Sequence, residues 1–526
     1  MNAAQLLSAI TGSVTVLALL AQAPARAQVQ TPAPTQQATC SALAEWAGGP
    51  GDLRIVEARF YTERSVGGPG GGQTLPPHCH VTGSFEHRTG IGDVEYAIGF
   101  AINLPEDWNG RFLFQGGGGL NGVVREPVGA GASGGRSALA RGFAVVSTDS
   151  GHTGSGFDSS FMADQLALLN FQFLANAKTT EVARPIVEAY YGSAPHHSYF
   201  VGCSTGGREG MIMAQRYPHL FDGIVSGAPA MRTTISNLAL RWISNQYVRA
   251  GVSNPREPFA AEERALIMGA LMDSCDALDG LEDSLIFNRT SCDFDPRALA
   301  CSANPGRTPG QQCLVDAKAE ALARAMAGPV NAAGMPVYVS FPYDSGIDDT
   351  GGLPGLLIAG GSPPVGGSGA DMSSQDVDAE FMAALVANEA LGATAWQFNV
   401  STFIEAGGKQ MFYHGEADPW FSANDTVRYF DAMSAANNDV AAVDQYSRLY
   451  LVPGMAHCAG GEQTVDSFDL LTPIVEWVEN GNAPGAVTAT GASMPGQSRP
   501  LCPYPSYAHF EGGEAANVGD YACRMP

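Results

Sequence analysis

Residues Gly202-Cys203-Ser204-Thr205-Gly206 follow the apolar run Ser198-Tyr199-Phe200-Val201 and precede a helix-compatible stretch, Gly207 to Met213. A β-branched and aromatic run, then Gly-x-Ser-x-Gly, then a helix is the pattern of a nucleophile elbow, in which a serine hydroxyl is held out on a tight strand-to-helix turn. Glycine is needed on both sides of the serine because the turn brings backbone segments too close for side chains. A second match, Gly131-Ala132-Ser133-Gly134-Gly135, follows no strand-like run and is set aside. With 64 glycines in the chain, a turn that merely carries serine is the bland alternative, and partners elsewhere must decide.

The surrounding pattern agrees with an α/β fold. Between residues 40 and 230, short β-type runs (Arg111 to Phe114, Phe143 to Thr148, Tyr199 to Val201, Gly223 to Ser226) alternate with helix-compatible stretches such as those within Ser160 to Ala189. That alternation predicts parallel strands joined by crossovers. It stops over residues 231–408, where helical material (Ala260 to Asp276, Val315 to Met326) and a glycine-rich region (Gly351 to Gly369) replace it. It resumes over 409–526 with Gln410 to Tyr413, Arg448 to Val452 and a helix-like Leu470 to Val478. The expected architecture is an α/β-hydrolase core in two parts, 40–230 and 409–526, interrupted by a lid domain, 231–408.

In such cores the charge-relay partners follow the serine in the order acid, then histidine, each on a loop after a strand. Asp418 lies after Gln410 to Tyr413, with Glu416 as its rival, and His457 lies after Arg448 to Val452. His152 precedes the serine and is out of order, and His509 falls in the far tail. Ser204, Asp418 and His457 would carry acyl transfer: histidine removes the serine proton, aspartate holds the imidazole tautomer, and the attacked carbonyl becomes an oxyanion. The expected oxyanion donors are the N–H groups of Thr205 and of the Gly118 or Gly119 region. Gly117-x-Gly119-x-x-Gly122 also fits a dinucleotide fingerprint, but Leu139 to Gly142 supplies no acidic residue for a ribose. Cys203 precedes the serine and Cys458 follows the histidine, so a bridge between them would tie the two loops together; two cysteines paired elsewhere is the alternative.

Residues 1–27 resemble an export signal, with an apolar core from Val14 to Leu20 and Ala25-Arg26-Ala27 as a cleavage site, followed by a leader over 28–39. The apolar run is too short to span a bilayer. All ten cysteines lie beyond it, which points to a disulfide framework in a secreted or periplasmic protein. No pair has Cys-x-x-Cys spacing, which disfavours zinc. His78-Cys79-His80 is read as a bridged cysteine between two solvated histidines. With 28 basic and 52 acidic residues, the net charge of -24 repels nucleic acid and anionic membranes. A small neutral or weakly charged molecule is the expected partner, and oligomeric state is left open.

The Cys203-Ser204, Asp418 and His457-Cys458 set resembles that of the tannase and feruloyl esterase family, with further matching stretches at Trp108 to Arg111, Gly202 to Gly210, Asp222 to Val225, Leu451 to His457 and Leu501 to Pro505. The resemblance implies bridges Cys203–Cys458, Cys40–Cys79, Cys275–Cys292, Cys301–Cys313 and Cys502–Cys523. From the residues alone, the acidic turn Asp276 to Leu285 suits a hard cation such as calcium or is a solvated turn. The resemblance implies structural Ca2+ held by Asp276, Asp279 and Asp283 side chains and Leu281 and Leu285 carbonyls. It also places Phe421 in an acyl pocket.

Between Arg324 and Lys409 there is no Lys or Arg, whereas a free aromatic carboxylate is best held by a guanidinium fork. The expectation is therefore a secreted serine carboxylesterase for esters of phenolic acids, such as feruloyl or galloyl esters. A terephthalate half-ester hydrolase is one alternative, and a non-catalytic binding module on a hydrolase fold is another.

Overall fold

The computed structural model describes residues 35–67, 73–255, 257–348, 374–391 and 395–526. The expected export signal, the first part of the leader and the Gly351 to Gly369 region lie outside them. The rest of the leader is helical: α1 (Gln36–Ala42) begins inside it and buries Cys40, which is bridged to Cys79. Residues 36–526 form one compact unit.

A nine-stranded sheet organises that unit. In chain order it takes β1 (Arg54–Tyr61), β2 (His78–Thr89), β3 (Glu95–Pro105), β4 (Arg111–Gln115) and β5 (Ala144–Thr148). After helix α2 (Ala175–Tyr191) come β6 (His197–Cys203), helix α3 (Thr205–Arg216) and β7 (Gly223–Gly227). The spatial order is β1-β2-β3-β5-β4-β6-β7-β8-β9, with β8 and β9 supplied by the last part of the chain. From β5 to β9 every pairing is parallel, and β1, β2 and β3 extend the sheet antiparallel. The parallel strands are apolar on both faces because helices cover both sides. Phe114 of β4 stacks on Phe200 of β6 with centroids 5.1 Å apart inside this core.

Between β7 and β8 the chain makes a long, mainly helical excursion with α4 (Thr233–Arg249), α5 (Ala261–Cys275), α6 (Asp316–Ala327) and α7 (Val377–Leu391). It contributes no strand to the main sheet among the described residues. Two bridges, Cys275–Cys292 and Cys301–Cys313, staple it internally. Buried Arg232 anchors it to the core: its guanidinium pairs with Asp425 and lies 4.1 Å from the Trp396 ring centroid.

The chain returns through β8 (Lys409–Gly415), α8 (Ala423–Asn437), β9 (Ser447–Val452) and α9 (Leu471–Asn480). A small antiparallel tail follows, closed by Cys502–Cys523. The five disulfides are the five pairs that the family resemblance implies, and no described cysteine is free. Among the described residues no helix is long and apolar enough to cross a membrane.

Candidate active site

Ser204 sits between the end of β6 and the start of α3 with φ 63° and ψ -123°, a conformation non-glycine residues rarely adopt. Its N–H donates to Gly227 O at 3.0 Å, and its carbonyl accepts from Arg208 and Ala230 N–H, both at 3.0 Å. The turn is therefore held by the strand beside it and the helix after it. A Cβ on Gly202 would lie 2.5 Å from the Gly206 carbonyl carbon, and one on Gly206 would lie 2.8 Å from Gly117 O. Both glycines are dictated by space. In contrast, Ser133 of the discounted motif is buried and donates to Ala130 O.

The loop after β4 packs on the first turn of α3, and its hydrogen bonds decide which N–H remains free. Gly117 N–H donates to Glu209 Oε2 at 2.9 Å, and Gly118 N–H donates to Asn121 Oδ1 at 2.7 Å. Asn121 Nδ2 in turn donates to Glu209 Oε1 at 2.7 Å. Thr205 Oγ1 donates to Gly119 O at 2.5 Å. The Gly118 N–H is thus committed inside the loop, and of the two glycines expected to supply a donor it is the one already engaged. Thr205, the first residue of α3, has an N–H with no acceptor within its own helix. Glu209 is fully buried; burial pushes its carboxyl up, opposed by the Gly117 N–H, the Arg208 charge and the Asn121 amide. No sequence signal marked Glu209 or Asn121, because their contact joins segments 88 residues apart.

Asp418 and His457 meet on the loops after β8 and β9. His457 Nδ1 donates to Asp418 Oδ2 at 2.6 Å, and its other nitrogen, Nε2, is buried without a hydrogen-bond partner. The Cys203–Cys458 bridge brings the neighbours of serine and histidine to a Cα separation of 5.9 Å, so the free Nε2 belongs to a loop stapled to the elbow. Asp418 Oδ1 accepts Trp420 N–H at 2.8 Å and Phe421 N–H at 3.1 Å. Glu416, the rival acid, is engaged elsewhere: it is buried against Arg289 Nη1 at 2.9 Å, and burial raises its carboxyl to about 7 despite that charge. His152 is also apart, with Nε2 on Leu120 O at 2.9 Å.

A second histidine reaches the same carboxylate. His414 is fully buried, and its Nε2 lies 3.1 Å from Asp418 Oδ2 and 2.8 Å from Phe421 O. Both are acceptors, so Nε2 carries the proton, and Nδ1 accepts from Thr426 Oγ1 at 2.8 Å. Asp418 therefore receives four N–H donors. Burial alone would raise its pKa, but His457 and His414 outweigh it and hold the carboxyl well below the usual range.

Aromatic rings surround the imidazole. The His457 ring centroid lies 5.4 Å from Trp420 and 5.3 Å from Phe421. Phe157, more than half exposed on the loop beside Gly119, contacts Trp420 edge-on at 6.4 Å. Phe421 also belongs to the buried apolar cluster that contains Tyr338 and Phe341 of the excursion, so it serves the core as well.

The acidic turn lies in the excursion. Asp276 and Asp279 are buried, and Asp283 is half-buried in a bond with Arg499 Nε at 2.9 Å. Burial, with the neighbouring Asp283 and Asp276 charges, raises Asp279 to about 7 in spite of N–H bonds from Phe287 and Leu281. Among the described residues the three carboxylates are not gathered within 4.8 Å of one another. Asp276 accepts Ser284 N–H at 2.9 Å, Asp279 accepts Phe287 N–H at 2.9 Å and Asp283 is taken by Arg499, so a hard divalent cation would have to draw them together.

The family model described as "Tannase and feruloyl esterase" matches residues 79–359 and 364–524. Mono(2-hydroxyethyl) terephthalate hydrolase of Piscinibacter sakaiensis is 33% identical, covering 93% of this chain and 92% of that protein. Feruloyl esterase B of Aspergillus niger is 28% identical over 80% of this chain and 82% of its own length. The crystal structure of feruloyl esterase B from Aspergillus oryzae superposes with TM-score 0.77 at 24% identity, covering 93% of this chain and all of that one, and so shares its fold.

Proposed function

The chain belongs to the tannase and feruloyl esterase family, and from that premise we propose that it is an exported serine esterase that cleaves esters of phenolic acids through an acyl-enzyme. The observation that carries this reading is the Asp418–His457 bond at 2.6 Å, which leaves a buried, unpaired Nε2 on the loop bridged to Ser204's neighbour. His457 Nε2 takes the proton of Ser204 Oγ as the oxygen attacks the ester carbonyl. The N–H groups of Gly119 and Thr205 stabilise the oxyanion, and His457 returns the proton to the departing alcohol. Water, deprotonated by the same Nε2, then releases the acid. Five disulfides support export to an oxidising compartment.

The acyl group is aromatic because Trp420 and Phe421 present rings beside His457 and Phe157 stands against Trp420. It is uncharged because residues 325–408 contain no Lys or Arg to pair a second carboxylate. The 33% identical terephthalate half-ester hydrolase favours a second reading, a charged half-ester substrate. Comparing methyl ferulate, methyl gallate and mono(2-hydroxyethyl) terephthalate separates them. The phenolic esters are expected to have the higher kcat/KM by at least ~10-fold, the scale of one lost charged hydrogen bond; a faster half-ester would overturn the choice.

Loss of the Cys203–Cys458 bridge is expected to cost kcat directly, because it fixes the elbow relative to the histidine loop. A Cys203→Ser/Cys458→Ser double variant should lose ~100-fold in kcat/KM, the order expected for a displacement of about 1 Å between reacting groups. The same change at Cys502 and Cys523 should leave the rate of the folded enzyme within a few-fold. Equal losses in the two variants would deny the bridge its role.

For the acidic turn, we propose Ca2+ bound by Asp276, Asp279 and Asp283 with the Leu281 and Leu285 carbonyls, supplying charge neutralisation that holds the turn. Chelation should lower Tm by about 5 °C and added Ca2+ should restore it. An Asp279→Asn variant should have lost that response, and an unchanged response would exclude the site.

A further inference from the structure

We propose that His78, His80 and Glu126 form a second metal site, one for a transition ion of the zinc class, at the junction between the antiparallel strands and the segment following β4. A ring nitrogen of each histidine and a carboxylate oxygen of Glu126 all lie within 4.8 Å of one another. The expectation of two solvated histidines is wrong: His78 is 0% and His80 5% exposed. They stand two residues apart on β2 and project to one face of the strand, while Cys79 between them turns to the other and joins Cys40.

The hydrogen bonds set His78 in the form a metal needs. His78 Nδ1 donates to Pro76 O at 2.7 Å. Its Nε2 is buried and has no partner, which leaves a lone pair otherwise costly to bury. His80 Nδ1 faces Asn103 Oδ1 at 2.6 Å across the β2–β3 pair. Asn103 Nδ2 donates to Glu126 Oε1 at 2.7 Å and to Pro127 O at 3.1 Å, so the amide is oriented and His80 Nδ1 must carry the proton. His78 thus holds Nδ1–H against an oxygen acceptor and keeps its lone pair on Nε2, as metal-bound histidines do when an outer partner orients them. The His80 nitrogen beside Glu126 is instead Nδ1, 3.8 Å from Oε1, so an ion would take it in exchange for the Asn103 contact, with the proton passing to Nε2. Two imidazoles and one carboxylate make a borderline-soft set that suits Zn2+, with a further position open to water.

Glu126 already has a counter-charge. Arg64 Nη1 and Nη2 each lie 3.0 Å from its two oxygens. The Arg64 side chain is one-quarter exposed and rests over the Tyr61 ring, and an ion at Glu126 would have to displace it. In the metal-free protein Arg64 holds Glu126, and on binding the ion and Arg64 compete for it. A bound ion would pin β2 to the segment behind the Gly119 loop, where Gln115 holds the Glu126 carbonyl at 3.1 Å and the Gly129 N–H at 2.7 Å.

The test uses untagged full-length protein, stripped of metal and kept in excess Ca2+ so that the acidic turn is not the binding site. Calorimetric titration with ZnCl2 should show one equivalent bound and a raised Tm. His78→Gln and Glu126→Gln should each weaken binding by more than the ~10- to 100-fold that loss of an outer partner costs. Arg64→Gln should tighten it by roughly tenfold, since a competing charge is removed. Titration of the wild type with Co2+ should give visible bands of nitrogen-ligated cobalt, a readout that does not depend on any variant folding. Binding that survives His78→Gln unchanged, a cobalt spectrum of the aqueous ion, or weaker binding in Arg64→Gln would each overturn the site.

Discussion

Ser204→Ala is expected to lower kcat/KM for methyl ferulate by ~10⁶-fold, about 8 kcal/mol of transition-state stabilisation, while Tm stays within about 1 °C. The loss is large because no neighbouring hydroxyl can substitute: the elbow exposes one oxygen, and β7 and α3 fix its backbone. Stability is kept because alanine retains the Cβ and meets the same strain at φ 63°. Ser204→Gly supplies the complementary check. It should be equally inactive but more stable by about 1 kcal/mol, since glycine adopts positive φ without steric cost. A fluorophosphonate probe should label the wild type at Ser204 and neither variant. Retained turnover in Ser204→Ala would sink the serine mechanism, and failure to label the wild type would favour a non-catalytic binding role.

Asp418→Asn is expected to reduce kcat by ~10⁴-fold with a smaller change in KM. The wild-type carboxylate accepts from His457 Nδ1 and His414 Nε2 on one oxygen and from Trp420 and Phe421 N–H on the other. An asparagine has one acceptor oxygen, so whichever side receives the NH2 faces donors. If the amide nitrogen turns to the histidines, His457 must move its proton to Nε2, where it can no longer act as base. If it turns to the loop, two buried N–H groups lose their acceptor and the loop opens. The stability difference should itself depend on pH. Asp418's carboxyl is held below its unfolded value, so its contribution is present above the unfolded pKa of about 3.9 and fades as pH falls through the lower folded value. The wild type should therefore be more stable than Asp418→Asn at neutral pH and approach it in acid. A kcat loss below ~10-fold would assign the orienting role to another group.

The parallel strands were legible because each is a short continuous apolar run closed by glycine or a polar turn, as at Arg111 to Phe114 and Arg448 to Val452. The antiparallel β1, β2 and β3 were not. Over its buried half β2 is covered on both faces, so residues such as His78, His80 and Ser84 interrupt what an alternation rule would seek. The histidines' burial is set by β1 and β3 on either side and by the segment carrying Glu126, none of which local sequence announces.

Within the candidate site, Ser204, Asp418 and His457 lie on the loops after β6, β8 and β9 at one edge of the sheet. Asp418 and His457 are hydrogen-bonded, while Ser204 is tied to His457 through the Cys203–Cys458 bridge of their neighbours. His414 stands just past the apolar run Gln410 to Tyr413, within β8, where nothing in the strand pattern marked it. Glu209 was hidden in the helix after the elbow, and Phe157 and Trp420 meet across 263 positions of chain.

What the sequence alone determined is the chemistry available and its order: a serine between glycines, an acid and a histidine after later strands, and ten cysteines able to staple loops. These follow from local rules, since a tight turn admits only glycine and a strand end delimits a loop. Tertiary structure decided which of the competing groups is used. It gave Asp418 rather than Glu416 to His457, because Arg289 occupies Glu416. It committed the Gly118 N–H to Asn121, which is why we propose Gly119 rather than Gly118 as the oxyanion donor. Both choices rest on hydrogen-bond donors brought from distant segments, and a buried group has room for only a few partners, so the fold selects among them where local sequence cannot.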